Sequence, residues 1–156
     1  MKRLLVFAAV VVVAAMAPSP LLAQSNPFVG TWKLNPAKSK VMSGAPPPKE
    51  ETVTIQMVGD QDQVTANGTA ADGSPISFKY EVPSKGGTGK ILGGPFDAVS
   101  GKVIDDSTRE VSYIKGGKEM LQIRMVSKDG KTARETVKGT DPQGKPVSGV
   151  LVWEKQ

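Results

Sequence analysis

The chain predicts an all-β protein, an antiparallel up-and-down β-barrel of about eight to nine strands behind an N-terminal signal peptide. Three observations lead there. Nine short segments between Phe28 and Glu154 carry strand-like runs, the clearest alternating apolar and polar residues with a period of two. They are evenly spaced and joined by turn signals such as Asp72-Gly73, Gly116-Gly117 and Asp129-Gly130, which favour tight hairpins. No stretch beyond residue 23 has the spacing of a helix-length amphipathic pattern. Such strands suit a barrel or a sandwich, and sequential hairpins without Greek-key crossings favour the barrel.

The first element is the signal, assigned to residues 1–23. Lys2 and Arg3 form a positive n-region, and Leu4 to Met16 is an apolar run of thirteen. That is shorter than the roughly 20 residues needed to span a bilayer, and it fits a secretory h-region. Pro18 and Pro20 end any helix, and cleavage is expected after Ala23. Gln24 stands where a lipoprotein would carry cysteine, so residues 24–156 are expected as an unanchored barrel domain, periplasmic or secreted.

Phe28 to Leu34 opens the barrel. Glu51 to Val58 follows, with Val53, Ile55 and Met57 on one face, then Gln63 to Ala70 and the Asp72-Gly73 turn. Pro75 to Val82 puts Ile76, Phe78, Tyr80 and Val82 on one face against Ser77, Lys79 and Glu81 on the other. Ser84 to Pro95, rich in glycine and lysine, reads as a loop over one barrel mouth. Ala98 to Ile104 and Glu110 to Lys115 flank an Asp105-Asp106-Ser107 turn. Lys118 to Ser127 carries Leu121, Ile123 and Met125 on one face. Lys131 to Lys138 and Val147 to Glu154 complete the set.

Composition removes several function classes. Without Lys2 and Arg3 the chain keeps 18 basic and 15 acidic residues, a net charge of only +3. The charges are interspersed, so nucleic-acid binding finds no support. Zero cysteines exclude a disulfide framework, and about 133 residues suffice for one core held by packing alone. Zero histidines exclude His-ligated haem or zinc and every histidine-based nucleophile relay. Carboxylates, lysines, tyrosines and hydroxyls remain, and Glu135 beside Arg134 is the one carboxylate whose burial would bear on catalysis.

Weaker motifs have local explanations. Asp60-x-Asp62 and Asp105-Asp106 sit in turns, where Asp is expected, and bring too few ligands for calcium, so no metal site is assigned. Gly86-Gly87-Thr88-Gly89-Lys90 lacks the spacing of a phosphate loop. Asn67-Gly68-Thr69 has the form of a glycosylation sequon but reads as a strand irregularity.

Asn26-Pro27-Phe28-Val29-Gly30-Thr31-Trp32-Lys33-Leu34-Asn35 resembles the opening of small secreted bacterial proteins with a lipocalin-like, calycin-type β-barrel domain. Ser127 to Thr132, Lys138 to Pro146 and Val150-Leu-Val-Trp-Glu-Lys155 fit the same pattern. The resemblance implies that Gly30 and Trp32 form a structural signature, with Trp32 plugging one barrel end beneath a basic side chain. Lys155 is the candidate for that cation, with Arg124 or Arg134 as substitutes. Two features of such barrels are missing. Pro46-Pro47-Pro48 forbids a helical hairpin after the first strand, and Val152-Trp153-Glu154 stands where a carboxylate-binding Arg-x-Tyr would lie. The two residues after Glu154 also leave no room for the helix that follows a typical lipocalin barrel.

The expected function is an exported, non-catalytic barrel that binds a small apolar or amphipathic molecule, with no cofactor. The expected lining is Ile55, Met57, Phe78, Tyr80, Tyr113, Leu121, Ile123 and Met125, together with Val53 and Ile76; Tyr80 and Tyr113 offer hydroxyls to a polar head. An open interior of roughly 300 Å³ or more would favour this reading. A filled interior with an apolar patch or free strand edge outside would favour the alternative, an envelope-associated interaction or structural module. A carboxylate- or tyrosine-based isomerase or hydrolase is the third possibility.

Overall fold

The structure, a computed structural model, describes residues 26–156; the signal segment and its cleavage point lie outside these residues. The described chain forms β1 (Gly30–Leu34), β2 (Lys40–Ser43), β3 (Glu50–Val58), β4 (Gln61–Thr69), β5 (Pro75–Pro83), β6 (Gly87–Thr88), β7 (Lys90–Gly93), β8 (Ala98–Val103), β9 (Thr108–Lys115), β10 (Lys118–Val126), β11 (Thr132–Thr140) and β12 (Pro146–Lys155). Nine of these match the expected strands. The three additional ones, β2, β6 and β7, come from segments too short or too glycine-rich to show a period. The one helical element among the described residues is a 3₁₀ turn, Pro36–Lys38, where the triple proline already excluded a helical hairpin.

All pairings are antiparallel, in the order β6-β8-β9-β10-β11-β12-β1-β3-β4-β5-β7, with β2 added to β12. The two ends of that order are consecutive in the chain. Residues 87–93 run along the seam, pairing with β8 through Gly87 and Thr88 and with β5 through Lys90 to Gly93. Between them Gly89 donates its N–H to Val99 O, 2.9 Å away. A Cβ on Gly89 would stand 2.4 Å from Glu81 O, so only glycine lets the segment change partners there. The predicted mouth loop is thus the strand that nearly closes the barrel.

Strand alternation sends one side chain in two to the interior. The core includes Trp32, Leu34, Val53, Ile55, Val64, Tyr80, Val82, Val99, Tyr113, Val137 and Trp153. β5 faces inward as its alternation predicts, with Phe78, Tyr80 and Val82 inside. β10 is reversed. Met120, Gln122, Arg124 and Val126 point inward, while Leu121, Ile123 and Met125 lie on the outer face, with Met125 55 % exposed. The cause is the register, which sets Arg124 directly opposite Glu135 on β11. Two facing residues share a face of the sheet, so a buried ion pair turns the apolar side of β10 outward. Met57 is also corrected: it ends β3 beyond the core and is 52 % exposed.

Candidate functional site: a cup with a polar floor

One end of the barrel is sealed by the Gly-x-Trp element. Trp32 is fully buried, its indole N–H donates to Phe28 O at 2.8 Å, and Lys155 Nζ lies 5.1 Å from the centre of its ring. Lys155 also donates to Pro27 O. A Cβ on Gly30, which has φ +135°, would come within 2.6 Å of Lys155 Cε. The positive φ favours glycine here, and the flexible end of the lysine passes over it to reach the ring. Arg124, a candidate for the same role, instead covers the second tryptophan, Trp153, at 4.9 Å. Arg134 is exposed on β11.

The same end carries a buried ion pair. Asp62 of β4 pairs with Arg109 of β9 and accepts hydrogen bonds from Ser84 Oγ at 2.7 Å and Asn26 Nδ2 at 3.3 Å. Arg109 stacks 4.4 Å above Phe28. Asp62 is therefore a tie between the opening segment and three parts of the barrel, not half of a turn-borne cation site. Asp105 likewise accepts from the backbone and hydroxyl of Ser107 as an ordinary turn residue.

The other end opens into a cup of about 600 Å³. Ala45–Pro48, the β4–β5 hairpin, Gly94–Phe96 and Asp141–Gln143 form its rim. Phe78, Phe96, Met120, Val137, Val147 and Leu151 supply its apolar walls. Below it is a second space of only about 70 Å³ reaching Tyr80, Tyr113 and Trp153. Glu51, Phe78, Gln122 and Leu151 border both, and so form the layer between them. The interior is open in its upper half and filled in its lower half.

Beneath that layer the polar groups are organised in pairs. Arg124 donates Nε to Glu135 Oε2 at 2.7 Å, and its Nη2 lies 2.6 Å from the same oxygen. Tyr113 donates its hydroxyl to Tyr80 at 2.8 Å, with the rings edge to face. Burial pushes the Tyr80 phenol up to about 12, and burial with the neighbouring phenol raises Tyr113 well above its ordinary value. Both therefore remain protonated near neutrality. Glu135, the carboxylate flagged from sequence, is buried but held by a guanidinium, which makes it a counter-ion.

Glu51 differs from these. It is 8 % exposed, and burial followed by the charge of Glu135 pushes its carboxyl up to about 7, against the opposing influence of Arg124. Among the described residues no hydrogen bond or ion pair engages its side chain, and it faces both spaces.

Of the residues expected to line the interior, Val53, Ile55, Tyr80 and Tyr113 border the lower space, Ile76 the cup and Phe78 both. Met57, Leu121, Ile123 and Met125 take no part in either. Sequence reasoning missed Glu51, Gln122 and the inward course of Arg124. A usable signal existed: counting back from the Asp129-Gly130 turn pairs Arg124 with Glu135, and a basic and an acidic residue in register can share an interior.

No protein-family model and no curated protein matches this sequence. Solved structures do. The Schistosoma mansoni fatty acid binding protein in complex with arachidonic acid aligns with a TM-score of 0.53 at 17% identity, covering 85% of this chain and 98% of that one. This chain shares with it the fold of a nearly closed antiparallel β-barrel. The wild-type fluorescent protein UnaG aligns with a TM-score of 0.51 at 19% identity, covering 83% of this chain and 97% of its own. An S-type phycobiliprotein lyase from Guillardia theta gives 0.53 at 10% identity, with coverage of 83% and 88%. At these identities the likeness concerns the fold.

Proposed function

We propose that this protein is an exported, non-catalytic barrel that binds a small apolar or amphipathic molecule in its open cup. The carrying observation is the cup itself, about 600 Å³ with largely apolar walls. Its size lies within the range of roughly 300–1,000 Å³ common to small-molecule sites. The similar fatty acid binding protein, solved with arachidonic acid, supports ligand binding by a barrel of this fold. A non-catalytic role is supported at Glu135, which is neutralised by Arg124, and at the two tyrosines, which stay protonated. Export, to the periplasm or beyond, is supported by Lys2, Arg3 and the apolar run Leu4 to Met16.

Titration with a neutral fluorescent probe such as N-phenyl-1-naphthylamine, with native mass spectrometry of protein from its own cells, tests the reading. Saturable probe binding and a co-purifying adduct are expected. Absence of both would overturn it. Sequencing the N-terminus of protein from a cell-envelope fraction tests export, with Gln24 expected as the first residue.

A further inference from the structure

The floor of the cup has a charge balance that discriminates among ligands. Among the described residues, five ionisable side chains of the interior interact with one another: Glu51 on β3, Tyr80 on β5, Tyr113 on β9, Arg124 on β10 and Glu135 on β11, whereas Asp62, Lys102, Arg109 and Glu110 line the lower space outside that cluster. The single cation of the cluster is neutralised, since Arg124 places both Nε and Nη2 on one oxygen of Glu135 and lies over the Trp153 ring. The Tyr113 hydroxyl proton is directed at Tyr80. Among the described residues that line the cup, Asp141 is held by the backbone N–H groups of Gln143 and Lys145, and Glu51 alone presents an unengaged charged group, at the level of Gln122, Phe78 and Leu151.

A buried carboxylate without a partner is costly, and an entering cation relieves that cost through a charge-assisted hydrogen bond. An anionic head in the same place would meet Glu51, and the cation of that cluster, Arg124, is already held by Glu135. We propose that the cup selects apolar molecules bearing a cationic, hydrogen-bond-donating head, a protonated aliphatic amine being the simplest, with that head seated on the Glu51 carboxylate. The inference rests on the ligand-binding reading and specifies the chemistry of its ligand. The walls formed by Met120, Val137, Val147 and Leu151 would receive the apolar portion. Burial and Glu135 raise the Glu51 carboxyl, Arg124 lowers it, and a bound cation would draw it fully to the ionised form.

The test is displacement of N-phenyl-1-naphthylamine from the purified protein by decylamine, 1-decanol and decanoate, each below its micelle concentration, at pH 8. Decylamine is expected to displace the probe at about tenfold lower concentration than decanol, with decanoate weakest. Glu51→Gln should reduce the amine-to-decanol preference to about threefold or less. A second measurement needs no variant. From pH 8 to pH 6 the decylamine affinity of the wild-type chain should fall about tenfold, as Glu51 takes up its proton, with decanol unaffected. Decanoate binding as tightly as decylamine, an amine preference that survives Glu51→Gln, or a flat pH profile would each overturn the inference while leaving ligand binding intact. A chain that binds none of the four compounds overturns the ligand-binding reading and this inference with it.

Discussion

Arg124 and Glu135 stand directly opposite each other on β10 and β11, and the guanidinium places two nitrogens on a single carboxylate oxygen inside the barrel. This pair sets which face of β10 turns inward and leaves Leu121, Ile123 and Met125 on the outside. It also occupies Arg124, a cation below the cup floor that a carboxylate ligand could otherwise use.

Glu135→Gln should destabilise the protein by about 3–5 kcal/mol, because it leaves Arg124 buried without its counter-charge. Replacing both residues by Leu should recover most of that loss, since the desolvation of two charges is removed together. Urea denaturation of the single and double variants measures both effects. A single variant as stable as the double would show that the pair is not the determinant.

Gly30→Ala should cost about 1–3 kcal/mol through a positive φ that disfavours a side chain and a contact with Lys155 Cε. Lys155→Ala alone should cost about 0.5–2 kcal/mol, the range of a cation–π contact. Together they should cost less than the sum, because removing the lysine relieves the contact but not the backbone strain. A double-mutant cycle by chemical denaturation reads this coupling directly.

Glu51 makes the stability of the fold depend on pH in an unusual direction. Its carboxyl is raised to about 7 from an ordinary value of 4.5, so the folded state holds the proton over a range where the unfolded chain has released it. The resulting contribution is complete below about 4.5 and is lost as pH rises through about 7. Wild-type stability relative to Glu51→Gln should therefore fall between pH 5 and pH 8, by on the order of 3 kcal/mol in all. Glu135 and Arg124, the charged groups facing Glu51, are unchanged in both proteins, so the difference isolates this group. Thermal unfolding of both across that range provides the measurement.

Val147→Trp should block the cup from the β12 wall near its rim. Probe affinity is expected to fall at least about tenfold, while the unfolding midpoint changes little because the added ring enters open space. Retained probe binding would place the ligand elsewhere on the protein. Circular dichroism of the variant would verify that the barrel persists.

Period-two alternation made β3, β5 and the strand class legible, and in β5 the inward residues could be named as well. Alternation separates two faces of a strand without saying which one is inside. β5 resolves correctly because its other face is polar and charged. β10 has apolar residues on one face and Gln122 and Arg124 on the other, so the usual rule chose the wrong side. The seam strand was missed for a related reason: five of the nine residues from Gly86 to Gly94 are glycine, which leaves too few side chains to show an alternation, and its hydrogen bonds go to strands on either side.

From the sequence alone came the all-β class, the hairpin order, and the exclusion of cysteine and histidine chemistry. These depend on residue types, local turns and spacings carried within short stretches of chain. Closure of the barrel by residues 87–93, the inward turn of Arg124 and the unengaged state of Glu51 appeared only with the tertiary structure. Each depends on which residues of distant strands share one low-dielectric interior, where a charge must find a partner or remain open to one.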